Sequence, residues 1–301
     1  MESPSLSRSA FLRGAFSLCA LTLSFQGSLV WAQSTPIKVL LIDGQNNHNW
    51  KATSPVILSA LGKSGRFEVE VSTTPPKGAP KEAWADWNPK FSAYAAVVSN
   101  YNGELWPEPV QRAFEKYVSD GGGFVCLHAA NNAFPEWLEY NRMIGIGGWG
   151  GRNEKNGPLL YRKEGQVVRD TVKGNGGGHG PQHEFVVEIL DQQHPITKGL
   201  PSKWKHTPDE LYHALRGPAE NLSLLGVAFS PVTQREEPML LTLSYGKGRV
   251  FHTPMGHSDV SMRCAGFQTL LERGTEWAAS GTVTLPLPSD FPGAENTSAR
   301  P

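Results

Sequence analysis

The chain has no net charge, only three cysteines, and no long apolar run beyond its first 32 residues. Lysine plus arginine and aspartate plus glutamate both number 28, so no overall field favours nucleic acid or an anionic membrane surface. No segment after the N-terminal one is long and apolar enough to span a bilayer. We therefore expect the partner to be a small, weakly charged molecule.

Close-spaced signatures of metal or nucleotide binding are missing as well. The sequence contains no His-Glu-x-x-His, no paired Cys-x-x-Cys and no Walker loop. It also lacks a Gly-x-Gly-x-x-Gly that follows a strand and is completed by a ribose-binding carboxylate. A metal ion would therefore need ligands from distant parts of the chain.

The N-terminus has the features of a secretory signal. Arg8 and Arg13 precede an apolar segment at residues 15–30, and Val30-Trp31-Ala32 ends it as a cleavage site would. We predict a signal peptide at residues 1–32 and a periplasmic or secreted mature protein. Sec and twin-arginine export both stay open, because the second arginine of a twin pair is absent.

Two cysteines remain after cleavage, since Cys19 lies in the signal. Cys126 and Cys264 each fall in an apolar segment. A disulfide between them is the alternative in an exported protein. The mid-strand position of Cys126 and the position of Cys264 near a helix start favour two buried free thiols instead.

Strands and helices alternate over the first 100 residues of the mature chain. The hydrophobic pattern predicts strands at residues 37–43, 67–71, 94–99 and 124–127, and helices at residues 54–61 and 107–119. Right-handed crossovers then predict an α/β fold with a doubly wound, mostly parallel sheet.

The second half of the chain is less regular. Glycine runs between residues 145 and 185 predict excursion loops. Further strands are predicted at residues 183–189, 223–229 and 239–243, a hairpin turn at 245–249 and a last helix at 265–279. We expect one domain at residues 33–285 and a disordered tail at residues 286–301.

His128 is the first candidate site residue, because it follows a buried, charge-free strand. Asp43 and Asn100 follow two neighbouring strands, and the carboxyl ends of parallel strands form the ligand-binding crevice of such sheets. The loop at residues 45–50 should face the same crevice. The alternative is a structural histidine that donates to a nearby carbonyl and holds a loop.

Other histidines and a carboxylate extend this set. His257 follows a strand late in the chain, and Glu210 stands between loops beside an apolar residue. His48 and His183 lie beside asparagine- or glycine-rich loops, where imidazole can bind metal or move protons. A turn or surface role is favoured for three further histidines, namely His194, His206 and His213. The tryptophans that would suit stacking on a sugar ring are Trp50, Trp137, Trp149 and Trp204.

Four ordered motifs together resemble the ThuA, or trehalose utilisation, family. They are residues 121–130 (GGGFVCLHAA), 194–201 (HPITKGLP), 209–212 (DELY) and 248–257 (GRVFHTPMGH). The resemblance extends from about residue 37 to 280. It implies a flavodoxin-like sheet, similar to that of class I glutamine amidotransferases, and a link to carbohydrate metabolism.

The resemblance also exposes a departure. In the amidotransferases a cysteine occupies the tight turn directly after this strand, whereas here the turn belongs to His128 and Cys126 lies two residues earlier. Glutamine hydrolysis through a cysteine is therefore not expected.

These observations support an exported enzyme that acts on a sugar or keto-glycoside by hydrolysis, elimination or isomerisation. The predicted catalytic residues are His128, His257 and Glu210. The predicted substrate-binding residues are His48, Trp50, Asn100, His183, Asp209 and Tyr212. A divalent metal such as zinc is a candidate cofactor, with His128, His183 and His257 as ligands. The alternative is a carbohydrate-binding or interaction domain without chemistry, and the sequence assigns no oligomeric state.

Overall fold

The structure is a computed structural model that describes residues 35–301. The predicted signal peptide lies outside the described residues. The strands are β1 (Ile37–Asp43), β2 (Phe67–Thr73), β3 (Ala96–Ser99), β4 (Gly123–Leu127), β5 (Leu159–Lys163), β6 (Gln166–Asp170), β7 (His183–Ile189), β8 (Lys203–Asp209), β9 (Leu222–Ser230), β10 (Arg235–Tyr245) and β11 (Gly248–Thr253). The helices are α1 (Trp50–Lys63), α2 (Lys81–Asp86), α3 (Glu108–Ser119), α4 (Leu138–Ile144), α5 (Asp259–Met262) and α6 (Ala265–Ser280).

Five parallel strands form the first half of the sheet, in the order β2-β1-β3-β4-β11. Successive side chains of a strand point to opposite faces. Val39 and Leu41 accordingly pack in the same core as α1 and α6, whereas Leu40 and Ile42 pack in the core that contains α3 and α4. Because both faces are covered, the central strands β3 and β4 are apolar and buried at nearly every position, whereas the edge strand β2 keeps exposed glutamates. This half confirms the predicted doubly wound α/β fold.

The other half of the sheet is antiparallel. A tight turn connects β10 to β11, and the two strands pair antiparallel. From β10 the sheet continues through β9 and β7 to β8. The β5–β6 hairpin pairs with β10 through β5. The predicted hairpin turn is confirmed by the pairing of Tyr245 with Gly248. The excursion-loop segment differs from expectation, because it contains β5 and β6. β5 is buried over its first three residues, whereas β6 is mostly exposed. The hairpin therefore lacks a regular alternation of apolar and polar residues.

The C-terminal tail also differs from the expected disorder. The Ser298 carbonyl accepts the Ala265 N–H at 2.8 Å, and Arg300 N–H donates to the Arg263 carbonyl at 2.7 Å. The first N–H groups of a helix have no partner within the helix, so the tail satisfies one at the start of α6. Phe291 packs on Trp204 with ring centroids 5.6 Å apart.

Cys126 and Cys264 are both buried and free, as the sequence favoured. Among residues 35–301, no helix combines the length and apolar character needed to cross a membrane.

Candidate functional site

His128 occupies a strained turn directly after β4. Its φ is +44°, a conformation that non-glycine residues seldom adopt. Its ring is buried, and Nδ1 lies 2.7 Å from the Pro254 carbonyl oxygen. Because a carbonyl only accepts, Nδ1 carries the proton and donates. The lone pair is therefore on Nε2, which lies 3.7 Å from Glu210 Oε2.

Glu210 and His257 converge on the same point from other parts of the chain. Glu210 directly follows β8, and His257 lies in the loop after β11 with its Nδ1 3.0 Å from Glu210 Oε2. Burial raises the pKa of Glu210, but the nearby rings of His128, His257 and His179 outweigh this and lower it. The side chain is thus a carboxylate at neutral pH. The predicted meeting of His128, His257 and Glu210 is present in the structure, while their catalytic roles stay a prediction.

His48 completes the cluster from the loop after β1. Its ring centroid lies 4.8 Å from that of His128 and 4.5 Å from that of His257. Its Nε2 is 3.2 Å from the Asn47 amide nitrogen and 3.3 Å from the Tyr212 hydroxyl. Burial, together with the two neighbouring imidazoles, lowers the pKa of His48 to about 4. The ring is therefore neutral at physiological pH and keeps a lone pair.

These four side chains can hold a metal ion. His48, His128, Glu210 and His257 each offer one ligand atom, and the four atoms all lie within 4.8 Å of one another. Nε2 of His128, Oε2 of Glu210 and Nδ1 of His257 are buried and make no well-aligned hydrogen bond, and the ion-pair contacts of both imidazoles are to Glu210. Buried polar atoms are nearly always partnered, and imidazole with carboxylate is a donor set that suits first-row divalent metals.

His183, a predicted metal ligand and substrate contact, is not in this cluster. It begins β7, and its Nδ1 contacts the Pro181 carbonyl at 2.9 Å in an exposed position. His179 lies at the cluster instead, with Nε2 3.7 Å from Glu210 Oε1. Its Nδ1 donates to the Gly180 carbonyl at 2.8 Å, which leaves the lone pair on Nε2. The glycine run around His179 was the available signal for a histidine on a site loop.

Asp209 does not face substrate space, in contrast to the prediction. It is fully buried. Its Oδ1 accepts the backbone N–H groups of Glu210 at 2.8 Å and His257 at 3.0 Å, and its Oδ2 accepts the Gly256 N–H at 2.7 Å. Oδ2 also lies 2.8 Å from His206 Nε2. Asp209 therefore positions the backbone of two residues of the cluster, Glu210 and His257.

His206 corrects a second expectation, because it is completely buried rather than in a turn or at the surface. Burial lowers its pKa, but the bond to Asp209 outweighs this and raises it to about 9. Burial likewise raises the pKa of Asp209, and the His206 bond outweighs it and lowers that pKa to about 2. The two form an ion pair at neutral pH. His213 is also buried, whereas His194 has the expected turn role, since its Nδ1 accepts the Ile196 N–H.

Asn100 is also a structural residue rather than a lining one. Its buried amide donates to Thr53 Oγ1 at 2.9 Å and to Ser54 Oγ at 3.1 Å, and its carbonyl accepts from Asn46. It thereby ties the end of β3 to α1 and to the loop after β1.

A cavity of about 370 Å³ opens above the cluster. It is lined by Asn47, His48, Asn102, Asn132, Trp149, Gly150, His179, Glu210 and Tyr212. Trp149 packs on Tyr212 with ring centroids 4.6 Å apart, so aromatic rings and amides share the wall. Of the other tryptophans considered for stacking, Trp137 and Trp204 are buried in the core, and Trp50 lines an adjacent cavity.

Comparison with known proteins agrees with this architecture. The model of the ThuA family, described as trehalose utilisation, matches residues 38–278. The chain belongs to the ThuA family. No protein with a curated description matches it.

Solved ThuA-like structures show the same fold. One from Parabacteroides merdae is 47% identical over 88% of this chain and 98% of that chain, with a TM-score of 0.85. A second, from Bacteroides uniformis, is 20% identical over 83% of this chain and 94% of that chain, with a TM-score of 0.54. The flavodoxin-like α/β fold of this ThuA protein is thereby established.

The thiol of this ThuA protein is not placed to act as a nucleophile. Cys126 lies inside β4, completely buried, and burial raises the pKa of its thiol. His128, not cysteine, occupies the tight turn after the strand.

We expect Asp209→Asn to lower the free energy of unfolding by about 2–4 kcal/mol, because an amide nitrogen would face backbone donors and leave the buried His206 charge unpaired. Chemical denaturation measures the loss. Asp120→Asn is the control: Asp120 forms an exposed pair with Lys116 at 2.7 Å, and its removal should cost no more than about 1 kcal/mol. Equal, small losses in both variants would contradict the positioning role of Asp209.

Proposed function

We propose that this ThuA protein is an enzyme that acts on a sugar or keto-glycoside at a divalent metal site. The supporting observation is the convergence of three buried ligand atoms, from His128, Glu210 and His257, beside the cavity that Glu210 and His48 line. His48 is the fourth member of the set. A carbohydrate substrate is consistent with the family description and with the mixed aromatic and amide lining.

Zinc is the metal that we propose, because three imidazoles and one carboxylate match its nitrogen and oxygen preference. When bound, such an ion polarises a carbonyl or hydroxyl oxygen of the substrate. The Pro254 carbonyl fixes the tautomer of His128, so that the Nε2 lone pair would be available to hold the ion. Hydrogen bonds of this kind orient metal-binding histidines.

His179 is the candidate for proton transfer. It lines the cavity, its side chain is partly exposed, and the Gly180 carbonyl leaves its Nε2 free to accept a proton. A neutral imidazole beside a polarised oxygen can remove a proton from the adjacent carbon. The same group can return that proton to a neighbouring atom.

This arrangement favours elimination or isomerisation of a keto-sugar over direct glycoside hydrolysis. Glycosidases generally use two carboxylates that flank the scissile bond. Among the described residues that line this cavity, Glu210 is the one carboxylate, and Asp209 behind it is fully bonded within the protein. Proton transfer next to a carbonyl needs only one base and one positive centre.

The metal site gives a direct test. Isothermal titration of metal-free protein with Zn²⁺ should show one tight site in the wild type, and Glu210→Ala should weaken binding by about 100-fold or more, since it removes a ligand. His183→Ala is the control, because His183 lies outside the cluster and should leave the affinity unchanged. Wild-type protein without a stoichiometric site, or a Glu210→Ala variant with wild-type affinity, would exclude this metal site.

Turnover separates catalysis from binding alone. We expect His128→Ala to abolish conversion of the 3-keto form of a disaccharide while the protein stays folded. Cys126→Ala should keep turnover and cost on the order of 1 kcal/mol of stability, because the thiol only packs. Product formation with and without chelator, and the thermal midpoint of each variant, provide the measurement. No turnover by the wild type would favour the non-catalytic carbohydrate-binding alternative, and a folded but inactive Cys126→Ala would restore the thiol as nucleophile.

We also propose that the protein is exported, since Arg8, Arg13, the apolar segment and Ala32 have the pattern of a signal peptide. Mature protein from the native host should begin at Gln33 or within a few residues of it, as N-terminal sequencing can determine. Cytoplasmic protein that retains residues 1–31 would contradict this proposal.

A further inference from the structure

A second cavity, of about 670 Å³, adjoins the site. It is lined by Gly44, Gln45, Asn46, Asn47, Trp50, Lys51, Pro76, Lys77, Asn102, Gly103 and Glu104. Asn47 and Asn102 also line the cavity above the His/Glu cluster. The two cavities therefore share a wall, and a ligand that fills both must pass these amides.

The shared wall is joined to the cluster by hydrogen bonds. Asn102 Nδ2 donates to Asn47 Oδ1 at 2.7 Å, and Asn47 Nδ2 lies 3.2 Å from Nε2 of His48. A group bound at this wall would be a few ångströms from the metal-binding side chains. If one ring of a two-ring sugar occupied the cluster, the linkage to its second ring would lie at this wall.

The second cavity is pre-formed rather than a gap between mobile loops. Gln45 is buried, and its amide donates to the Pro75 carbonyl at 2.8 Å and to Glu104 Oε2 at 3.1 Å, while its Oε1 accepts the Glu104 N–H at 3.0 Å. The Glu104 carboxylate in turn accepts the Gly78 N–H. Three loops are thus fixed around one cavity, and a fixed cavity loses little entropy when it binds a ligand.

The lining matches a sugar ring better than an apolar group. Trp50 offers an indole surface for the C–H face of a sugar. Amides such as Asn46 and Asn102 offer both donors and acceptors, as hydroxyl groups require. Three charged side chains line the cavity, Lys51 and Lys77 with positive charge and Glu104 with negative charge, so both signs are present beside the amides.

We propose that this second cavity is a subsite for the second ring of a disaccharide whose first ring lies over the His/Glu cluster. The position of the first ring rests on the proposed function. The second subsite makes the protein selective for two-ring sugars, with Trp50 as the stacking surface and the Asn47–Asn102 pair beside the linkage.

Calorimetric titration with unmodified sugars tests this selectivity without turnover. The probes are trehalose and cellobiose as two-ring sugars, and the methyl α- and β-glucopyranosides as one-ring sugars. We expect the wild type to bind at least one two-ring sugar about tenfold more tightly than either one-ring sugar. Trp50→Ala should lose this advantage and change one-ring affinity by less than twofold.

Trp84→Ala is the matched control, because Trp84 lines a different groove with Trp87 and Leu105 and should leave all affinities unchanged. Circular dichroism confirms that each variant is folded. Saturation-transfer NMR on the wild type gives an independent measurement, since protons of both rings should receive saturation from the protein.

Two outcomes would overturn the subsite: a wild type that binds two-ring sugars no more tightly than one-ring sugars, or a Trp50→Ala variant that weakens both classes by the same factor. Either result would leave metal binding and keto-sugar turnover unaffected as tests of the proposed function. Conversely, a two-ring preference lost in Trp50→Ala, in a protein that neither binds metal nor converts keto-sugars, would support the subsite and contradict the catalytic proposal.

Discussion

The site depends on the hydrogen bonds of the buried Asp209 carboxylate, because they join the ends of β8 and β11, two strands that are far apart in the strand order of the sheet. Asp209 ends β8, the last strand of the antiparallel half, and it accepts backbone N–H groups from the loop after β11 in the parallel half. Without this link, Glu210 and His257 would belong to separate loops. The His206 ion pair keeps the carboxylate charged, and therefore a strong acceptor, in a position without solvent.

The parallel half of the fold and its strand-end residues could be predicted from the sequence, because both follow from local patterns. A strand buried on both faces must be apolar and charge-free, and the residue after it must lie at the carboxyl edge of the sheet. His128 was found in this way, and the registers of β3, β4 and β11 confirm that their ends are level. The loop with His48 followed from the same rule.

The rest of the site could not be predicted, because it depends on how the antiparallel half folds back over that edge. His179 and His183 are both histidines of one glycine-rich region, and the sequence gives no reason to prefer the first. A backbone bridge between Gly178 and His213 decides the choice by holding that loop over Glu210. Asp209 was predicted to contact substrate and His206 to lie in a turn or at the surface, for a similar reason. A charged residue is expected at the surface or in a site unless its buried partner of opposite charge is known. The ordered tail depends likewise on the unpaired N–H groups of α6.

The tight turn after β4 shows how one backbone feature can serve a different chemistry. A strained turn at the end of a buried strand holds its side chain in a fixed direction at the carboxyl edge, whichever residue occupies it. With a cysteine there, as in class I glutamine amidotransferases, the turn presents a nucleophile. With His128 it presents an imidazole whose proton is fixed on the side of Pro254, so that its lone pair faces Glu210 and His257. The sole cysteine of this strand is buried two residues earlier and its thiol pKa is raised, so this thiol is not presented by the turn. The replacement thus favours metal binding or proton transfer at the same point of the fold.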